Sequence, residues 1–275
     1  TSLTNVEEYG GTSWTAGGDL NTARSYSTSF GIQTLAICAG NAGQPPGAVV
    51  ESYNGTSWSE TTENNSGRNG SGGTGTSTSG IIFGGNPYTG ITESWNGSAW
   101  TEVADLATGR IYVAGAGGSN TSALAAGGLT AAGPSGFTTA TEEFTEAPVT
   151  STFKNEGQVY YNTTTNLLKL TATVYGTGAW ASGGNLNVAK QAGSLGADTN
   201  AAATYAGGTN PSGTLATTEL YNGTAWTVSP QTLNASRQYP GTIGSSTSML
   251  VVTGLTGSPT AITVNVEQWD GSSWT

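Results

Sequence analysis

The chain of 275 residues has no histidine, one cysteine and only seven lysines and arginines. Each shortage excludes something. Without histidine there is no Ser-His-Asp or Cys-His machinery, no imidazole base, and none of the usual zinc or copper ligand sets. The single Cys38 forbids an internal disulfide, and within the apolar run LAIC it reads as a small core residue rather than a nucleophile. Seven basic residues against seventeen acidic ones give a formal net charge of −10. That leaves no basic patch to displace counterions from a nucleic-acid backbone, and an anionic membrane repels the chain. No apolar run of about 18 residues exists to span a bilayer. No signal-peptide pattern stands at Thr1, and an opening on Thr rather than Met reads as a processed or trimmed product. Charged residues make up only 9% of the chain, and such polarity can mark disorder. Eight Trp and eleven Tyr at regular phase mark a folded repeat instead.

The repeat is plainest in ESWNGSAW (Glu93–Trp100). It returns as EEYGGTSW (Glu7–Trp14), ESYNGTSW (Glu51–Trp58), ELYNGTAW (Glu219–Trp226) and EQWDGSSW (Glu267–Trp274), and more weakly as TVYGTGAW (Thr173–Trp180). Asn-Gly between short strands predicts a type I′ hairpin turn. A basic residue follows the second aromatic at ten positions for Arg24, Arg68, Arg110 and Lys190, and at eleven for Arg237. Next come a strand of small residues and an apolar strand closing on glycine at Gly40, Gly85, Gly128, Gly208 and Gly254. A variable loop leads to the next Glu-x-aromatic hairpin. Each unit thus holds four short strands, A to D, in about 42 to 48 residues, the size of one propeller blade.

The order Arg, apolar strand, Gly-Gly, Glu-x-Tyr, Trp resembles kelch repeats over nearly the whole chain. The departures are Ala39-Gly40 and Thr253-Gly254 for the double glycine, Lys190 for Arg and Thr173 for Glu. The resemblance implies an all-β propeller of four-stranded antiparallel blades. The phrases DLNTARS and GNLNVAK, with GQVYYNTTTNLLKL, further resemble structural proteins of marine tailed bacteriophages. The Asp-box of sialidase-type propellers does not fit, because its Ser and Asp fall on Glu51 and Tyr53.

The spacing from Trp100 to Trp180 is 80 residues, and the excess lies in Thr145–Thr173. There Gly157–Asn162 and Leu167–Thr171 predict an inserted hairpin around Thr163-Thr164-Thr165. Lys154 and Lys169, the basic residues out of phase, fall within it. An oligomer contact or a composite extra blade is the alternative reading. The chain is expected to form one propeller domain over residues 1–275, itself a piece of a longer chain if strands are missing. It starts with an unpaired C–D hairpin, Val6–Trp14. Six blade positions are favoured, with five and seven open.

The aromatic pairs are expected to pack between blades. Glu7, Glu51, Glu93, Glu142, Glu219 and Glu267 recur in step with Arg24, Arg68, Arg110, Lys190 and Arg237, and we expect structural ion pairs or carbonyl clamps from them. Asn-x-Ser/Thr at Asn54, Asn69, Asn96, Asn162, Asn222 and Asn234 is explained largely by turns rather than glycosylation. No DxDxDG loop and no phosphate loop occurs, and a copper oxidase on this scaffold would need histidines. Glu142-Glu143 and Glu7-Glu8 are strand neighbours that point to opposite faces, so neither is a catalytic dyad. The chain therefore reads as non-catalytic, with no cofactor and no metal.

Binding is expected on the face that carries the B–C loops, which vary most and each contain proline. Tyr88 and Phe137, with Pro45, Pro87, Pro134 and Pro211, are the candidate contacts. From the phage resemblance the function reads as a virion structural or adhesion protein, such as a tail fibre, tail-associated or capsid-surface propeller. Its partners would be other virion proteins or a host-surface glycan or protein, in a homo-oligomer, with no nucleic acid and no membrane insertion. The alternative is a secreted or cell-surface carbohydrate-binding propeller of bacterial origin.

Overall fold

Small, β-branched and aromatic residues alternate along short runs here, and glycine or Asn-Gly punctuates them, so strands form and turn often. The computed structural model describes residues 2–41, 47–146, 159–162, 167–170, 177–257 and 261–275, with backbone alone for 159–162 and 167–170. A hairpin of β1 (Glu7–Tyr9) and β2 (Trp14–Ala16) comes first and pairs with no other strand among the described residues. Blade 1 is β3 (Thr28–Ile32), β4 (Leu35–Asn41), β5 (Gly47–Tyr53) and β6 (Trp58–Glu60). Blade 2 is β7 (Gly72–Thr76), β8 (Ser79–Phe83), β9 (Thr92–Trp95) and β10 (Trp100–Val103).

Blade 3 is β11 (Ala114–Ser119), β12 (Ser122–Ala126), β13 (Thr141–Thr145) and β16 (Ala179–Ser182). Its C–D connection holds a separate hairpin, β14 (Val159–Asn162) with β15 (Leu167–Leu170), at the place of the expected insertion. Lys154 lies outside the described residues, as does the side chain of Lys169. Blade 4 is β17 (Ser194–Thr199), β18 (Ala202–Ala206), β21 (Thr218–Tyr221) and β22 (Trp226–Val228), with β19 (Thr209–Asn210) and β20 (Gly213–Thr214) in its B–C loop. Blade 5 is β23 (Gly241–Gly244), β24 (Met249–Val252) and β27 (Val266–Trp269), with β25 (Leu255–Thr256) and β26 (Ala261–Ile262) in its B–C loop. Its D strand is reduced to one bridge, Trp269 to Trp274.

The fold is therefore an all-β propeller of five blades, within the expected range. The β1–β2 hairpin stands outside those five. Tyr53 of blade 1 donates its hydroxyl to Glu8 on β1, as Tyr221 of blade 4 donates to Glu143 on β13 of blade 3. The hairpin thus takes, against blade 1, the place a preceding blade's outer half would take.

The C–D turns differ from the expected type I′. Four residues, such as Asn54–Ser57, separate the paired Tyr53 and Trp58. Only the glycine has positive φ, 91° at Gly55 and 94° at Gly97. The Asn side chain closes the turn instead. Asn54 Oδ1 accepts the N–H groups of Thr56 and Ser57, each at 2.9 Å, so the Asn need not enter the left-handed region.

The core is divided among the blade interfaces. Phe30, Ile37 and Val50 of blade 1 meet Ile82, Trp95 and Trp100 of blade 2. Similar clusters join blades 2 and 3, 3 and 4, and 4 and 5. Each hairpin's two aromatics stack, with centroids 5.0 Å apart for Tyr53 and Trp58 and 4.9 Å for Tyr221 and Trp226. The second indole then reaches back to the preceding blade. Trp180 donates to Thr92 at 3.2 Å, Trp226 to Thr141 at 2.9 Å and Trp274 to Thr218 at 3.0 Å. Each such ring contributes about 1.5–3 kcal/mol through apolar burial, and its N–H remains satisfied.

Candidate functional site

One set of charged residues is spoken for by the fold. Arg24 donates to Glu51 at 2.6 Å and to the carbonyls of Val49 at 2.6 Å and Gly40 at 3.2 Å. Arg68 with Glu93, Arg110 with Glu142, and Arg237 with Glu267 repeat the arrangement, all nearly or fully buried. Lys190 lies 2.8 Å from Glu219 and 4.5 Å above the Tyr205 ring. The second carboxylate oxygen accepts from the loop before the blade. Asn21 gives Glu51 its backbone N–H at 2.7 Å and its amide at 2.8 Å, and Asn65, Asn187 and Asn234 do the same for Glu93, Glu219 and Glu267.

Burial alone would raise the Glu51 carboxyl. The hydrogen bonds from Arg24, Asn21 and Thr22 outweigh it, and the net shift is downward. Burial pulls Arg68, Arg110 and Lys190 below their ordinary values against the opposing pull of their carboxylates. Glu7 is exposed and joins no ion pair among the described residues.

The A strands surround the propeller axis, and two residues after each basic residue the chain enters the left-handed region. The five positions are Tyr26 (φ 54°), Gly70 (65°), Tyr112 (54°), Ala192 (53°) and Tyr239 (53°). They are linked from blade to blade by backbone hydrogen bonds. Gly70 N–H donates to Tyr26 at 2.8 Å, Tyr112 to Gly70 at 2.7 Å, Ala192 to Tyr112 at 3.2 Å and Tyr239 to Ala192 at 2.8 Å. Glycine meets this conformation at little cost, whereas a bulky residue pays roughly 1–3 kcal/mol.

Three tyrosines accept that strain and gather at the channel mouth. Their ring centroids are 5.6 Å apart for Tyr26 and Tyr112, 5.7 Å for Tyr26 and Tyr239, and 5.3 Å for Tyr112 and Tyr239. They line a bowl of about 570 Å³ with Ser25, Ser27, Ser71 and Pro240. No charged side chain lines it. Burial and the neighbouring phenol of Tyr112 push Tyr239 well up, and burial with the phenols of Tyr26 and Tyr88 pushes Tyr112 up, so both hydroxyls stay protonated donors. Adjoining the bowl, a cavity of about 290 Å³ lies between the five A strands.

Of the loop residues singled out from sequence, Tyr88 is half-buried, and its phenol is among the neighbours that push the Tyr112 hydroxyl up. Phe137 is half-buried and bridges to Leu129, away from the bowl lining. Pro87, Pro134 and Pro211 are exposed on their loops, and Pro45 lies outside the described residues. The sequence reading passed over Tyr26, Tyr112 and Tyr239. The signal was present, because each stands two residues after Arg24, Arg110 or Arg237.

No family model matches the chain, and no curated protein matches it. Among solved structures it aligns with one described as "Structure of YjhT", at TM-score 0.71 and 15% identity, over 99% of this chain and 90% of that one. The chain shares its fold with YjhT. At that identity the likeness concerns fold alone. It supports the kelch-type propeller and overturns the expected likeness to phage structural proteins, since the structure matched over nearly the whole chain is YjhT. The reading as a tail-fibre or capsid-surface protein goes with it, as do the virion partners and the virion location.

The phrases that suggested a phage protein have a structural cause. DLNTARS and GNLNVAK are D–A loops, in which Asn21 and Asn187 serve the Glu of the next blade and Leu186 is buried. GQVYYNTTTNLLKL is the inserted hairpin of blade 3, where the backbone of 159–162 and 167–170 is described. Among the described residues no three His, Cys, Asp or Glu side chains gather to hold a metal ion, and no helix is long and apolar enough to cross a membrane.

Proposed function

We propose that this chain is a non-catalytic carbohydrate-binding propeller, secreted or displayed at a cell surface, and that the tyrosine bowl is its binding site. One observation carries the reading. Three of five equivalent positions hold tyrosine in a backbone conformation that favours glycine, and the three rings converge. Strain retained at a convergent aromatic cluster points to a role beyond folding. Aromatic faces stack on the apolar C–H face of a sugar ring, while Ser25, Ser27 and Ser71 offer hydroxyls to its rim. A lining without carboxylate, amine or imidazole suits binding and lacks the acid–base pair that glycoside hydrolysis uses. The lining is neutral and the net charge is −10, which favours uncharged glycans over anionic ones.

The test is a glycan array followed by calorimetry on the neutral glycans that bind. Tyr26→Gly and Tyr239→Gly should each weaken binding about tenfold or more, a loss of about 1.4 kcal/mol. The same changes should leave thermal stability equal or higher, because glycine relieves the backbone strain. Absence of neutral-glycan binding, or unchanged affinity in both variants, overturns the reading.

A further inference from the structure

Among the described residues, all but one of the non-glycine residues with positive φ follow from the repeat. Tyr26, Tyr112, Ala192 and Tyr239 stand at the channel mouth. Thr253 (φ 57°) closes its B strand where Gly84, Gly127 and Gly207 have φ of 69°, 64° and 68°. Tyr88 (φ 67°) has no such counterpart. It lies in the B–C loop of blade 2, and in the other B–C loops only glycine takes this conformation among the described residues. Glycine would meet that conformation at little cost, and a tyrosine does not.

The loop around Tyr88 is held firmly. Thr89 N–H donates to the Gly85 carbonyl at 3.0 Å, Arg110 N–H to Thr89 at 3.1 Å and Leu106 N–H to Gly90 at 3.0 Å. A Cβ on Gly109 would lie 2.1 Å from the Tyr88 carbonyl oxygen, so the next D–A loop is pressed against it. The Tyr88 side chain is half-buried, and no other ring stacks on it among the described residues. B–C loops share one face of the propeller with the openings of the A strands, and hence with the bowl, although Tyr88 stands outside the bowl lining. Tyr112 connects the two. Its ring fills the space over Gly70, which opens blade 2, because a Cβ there would lie 3.0 Å from Tyr112 Cδ1 and Cε1. The ring thus leans from blade 3 towards the blade that carries Tyr88, while still meeting Tyr26 and Tyr239. Burial pushes the Tyr112 hydroxyl up, and the phenols of Tyr26 and Tyr88 add to it.

We propose that Tyr88 is a second stacking platform of the tyrosine bowl, so that the ligand is a linear chain of neutral sugars rather than a single sugar. The inference rests on the bowl being a sugar site. One sugar lies against Tyr26, Tyr112 and Tyr239, and a following residue of the same chain lies on the Tyr88 ring. An aromatic face suits the apolar C–H face of the second sugar as it does the first. The rigid loop presents that face already ordered, so little freedom is lost when the chain binds.

The test is calorimetry on the full chain with glucose, galactose, mannose and N-acetylglucosamine, each from the free sugar to its linear tetrasaccharide. For a sugar that binds, the oligomers should bind about tenfold or more tightly than the free sugar. Tyr88→Gly should remove that gain with length, and Tyr88→Phe, which keeps the ring, should retain it. Tyr239→Gly should weaken every length alike. Tyr88→Gly should melt at the same temperature or higher, because glycine relieves the backbone strain. A lower melting temperature assigns Tyr88 to packing and overturns the proposal. Equal affinity at all lengths, or a gain with length that survives Tyr88→Gly, overturns it too, and a loss in Tyr239→Gly then leaves the bowl reading standing. Binding of none of these sugars overturns both.

Discussion

Replacing Glu93 by alanine and, separately, Glu7 by alanine changes the same repeat position in two tertiary settings. Glu93 is fully buried and accepts from Arg68, from the Asn65 N–H at 2.7 Å, from its amide at 2.8 Å and from the Ser66 N–H at 3.2 Å. Removing it strands a guanidinium that is 1% exposed. An unpaired buried charge costs about 3–5 kcal/mol, and each stranded amide donor adds about 1 kcal/mol, less than additively. The expected loss is about 4–6 kcal/mol from a total of about 5–15, a fall in Tm of roughly 10–20 °C.

Glu7→Ala has no such partners to strand and should change stability by less than about 0.5 kcal/mol. Urea unfolding followed by circular dichroism and by tryptophan fluorescence measures both. The double variant Arg68→Met with Glu93→Leu should recover part of the loss, because removing both charges is cheaper than removing one. A loss below about 1 kcal/mol for Glu93→Ala, or equal losses for the two alanine variants, refutes the reasoning.

Other outcomes follow from the same geometry. The Trp58 indole nitrogen is buried without a partner among the described residues, and Val6, just before β1, fills the repeat position that Thr92, Thr141 and Thr218 fill for later blades. Val6→Thr should therefore stabilise the chain by up to about 1 kcal/mol in urea titrations, and a destabilised variant speaks against the hairpin's position. A Cβ at Gly115 would lie 2.6 Å from the Gly73 nitrogen and 2.8 Å from the Phe83 ring. Gly115→Ala should cost about 1–3 kcal/mol, and a neutral result means the A strands can part. The Glu51 carboxyl is lowered from 4.5, so its stabilisation is complete above that value and is lost as pH falls through its lower folded value. Urea midpoints taken between about pH 6 and pH 3 should drop only at the acid end, and Glu51→Gln should flatten that drop. A decline already complete near neutrality contradicts the assignment.

The periodicity of Arg, apolar strand, glycine, Glu and Trp was enough to read four strands per blade, because each residue meets a demand that recurs with every blade. The small A-strand residues fit a crowded axis, and Trp fills the wedge between neighbours. The turn geometry was less legible, because Asn-Gly serves two hairpin types and only the Asn side-chain hydrogen bonds decide between them. The phage likeness misled for a related reason. The Leu-Asn phrases in D–A loops satisfy a buried Glu and a blade interface, so they follow the repeat rather than a lineage.

Sequence alone thus determined the local unit, since strand period, turn residues and matched Glu and basic positions act within one blade's length of chain. Tertiary structure decided what the units become together. Whether Tyr26, Tyr112 and Tyr239 meet depends on the curvature that brings blades 1, 3 and 5 around one axis, across separations of 86 and 127 residues. Whether Glu7 is buried like Glu93 or left in solvent depends on which strands stand beside it. Both are encoded by the same few letters, and only the neighbours in space tell them apart.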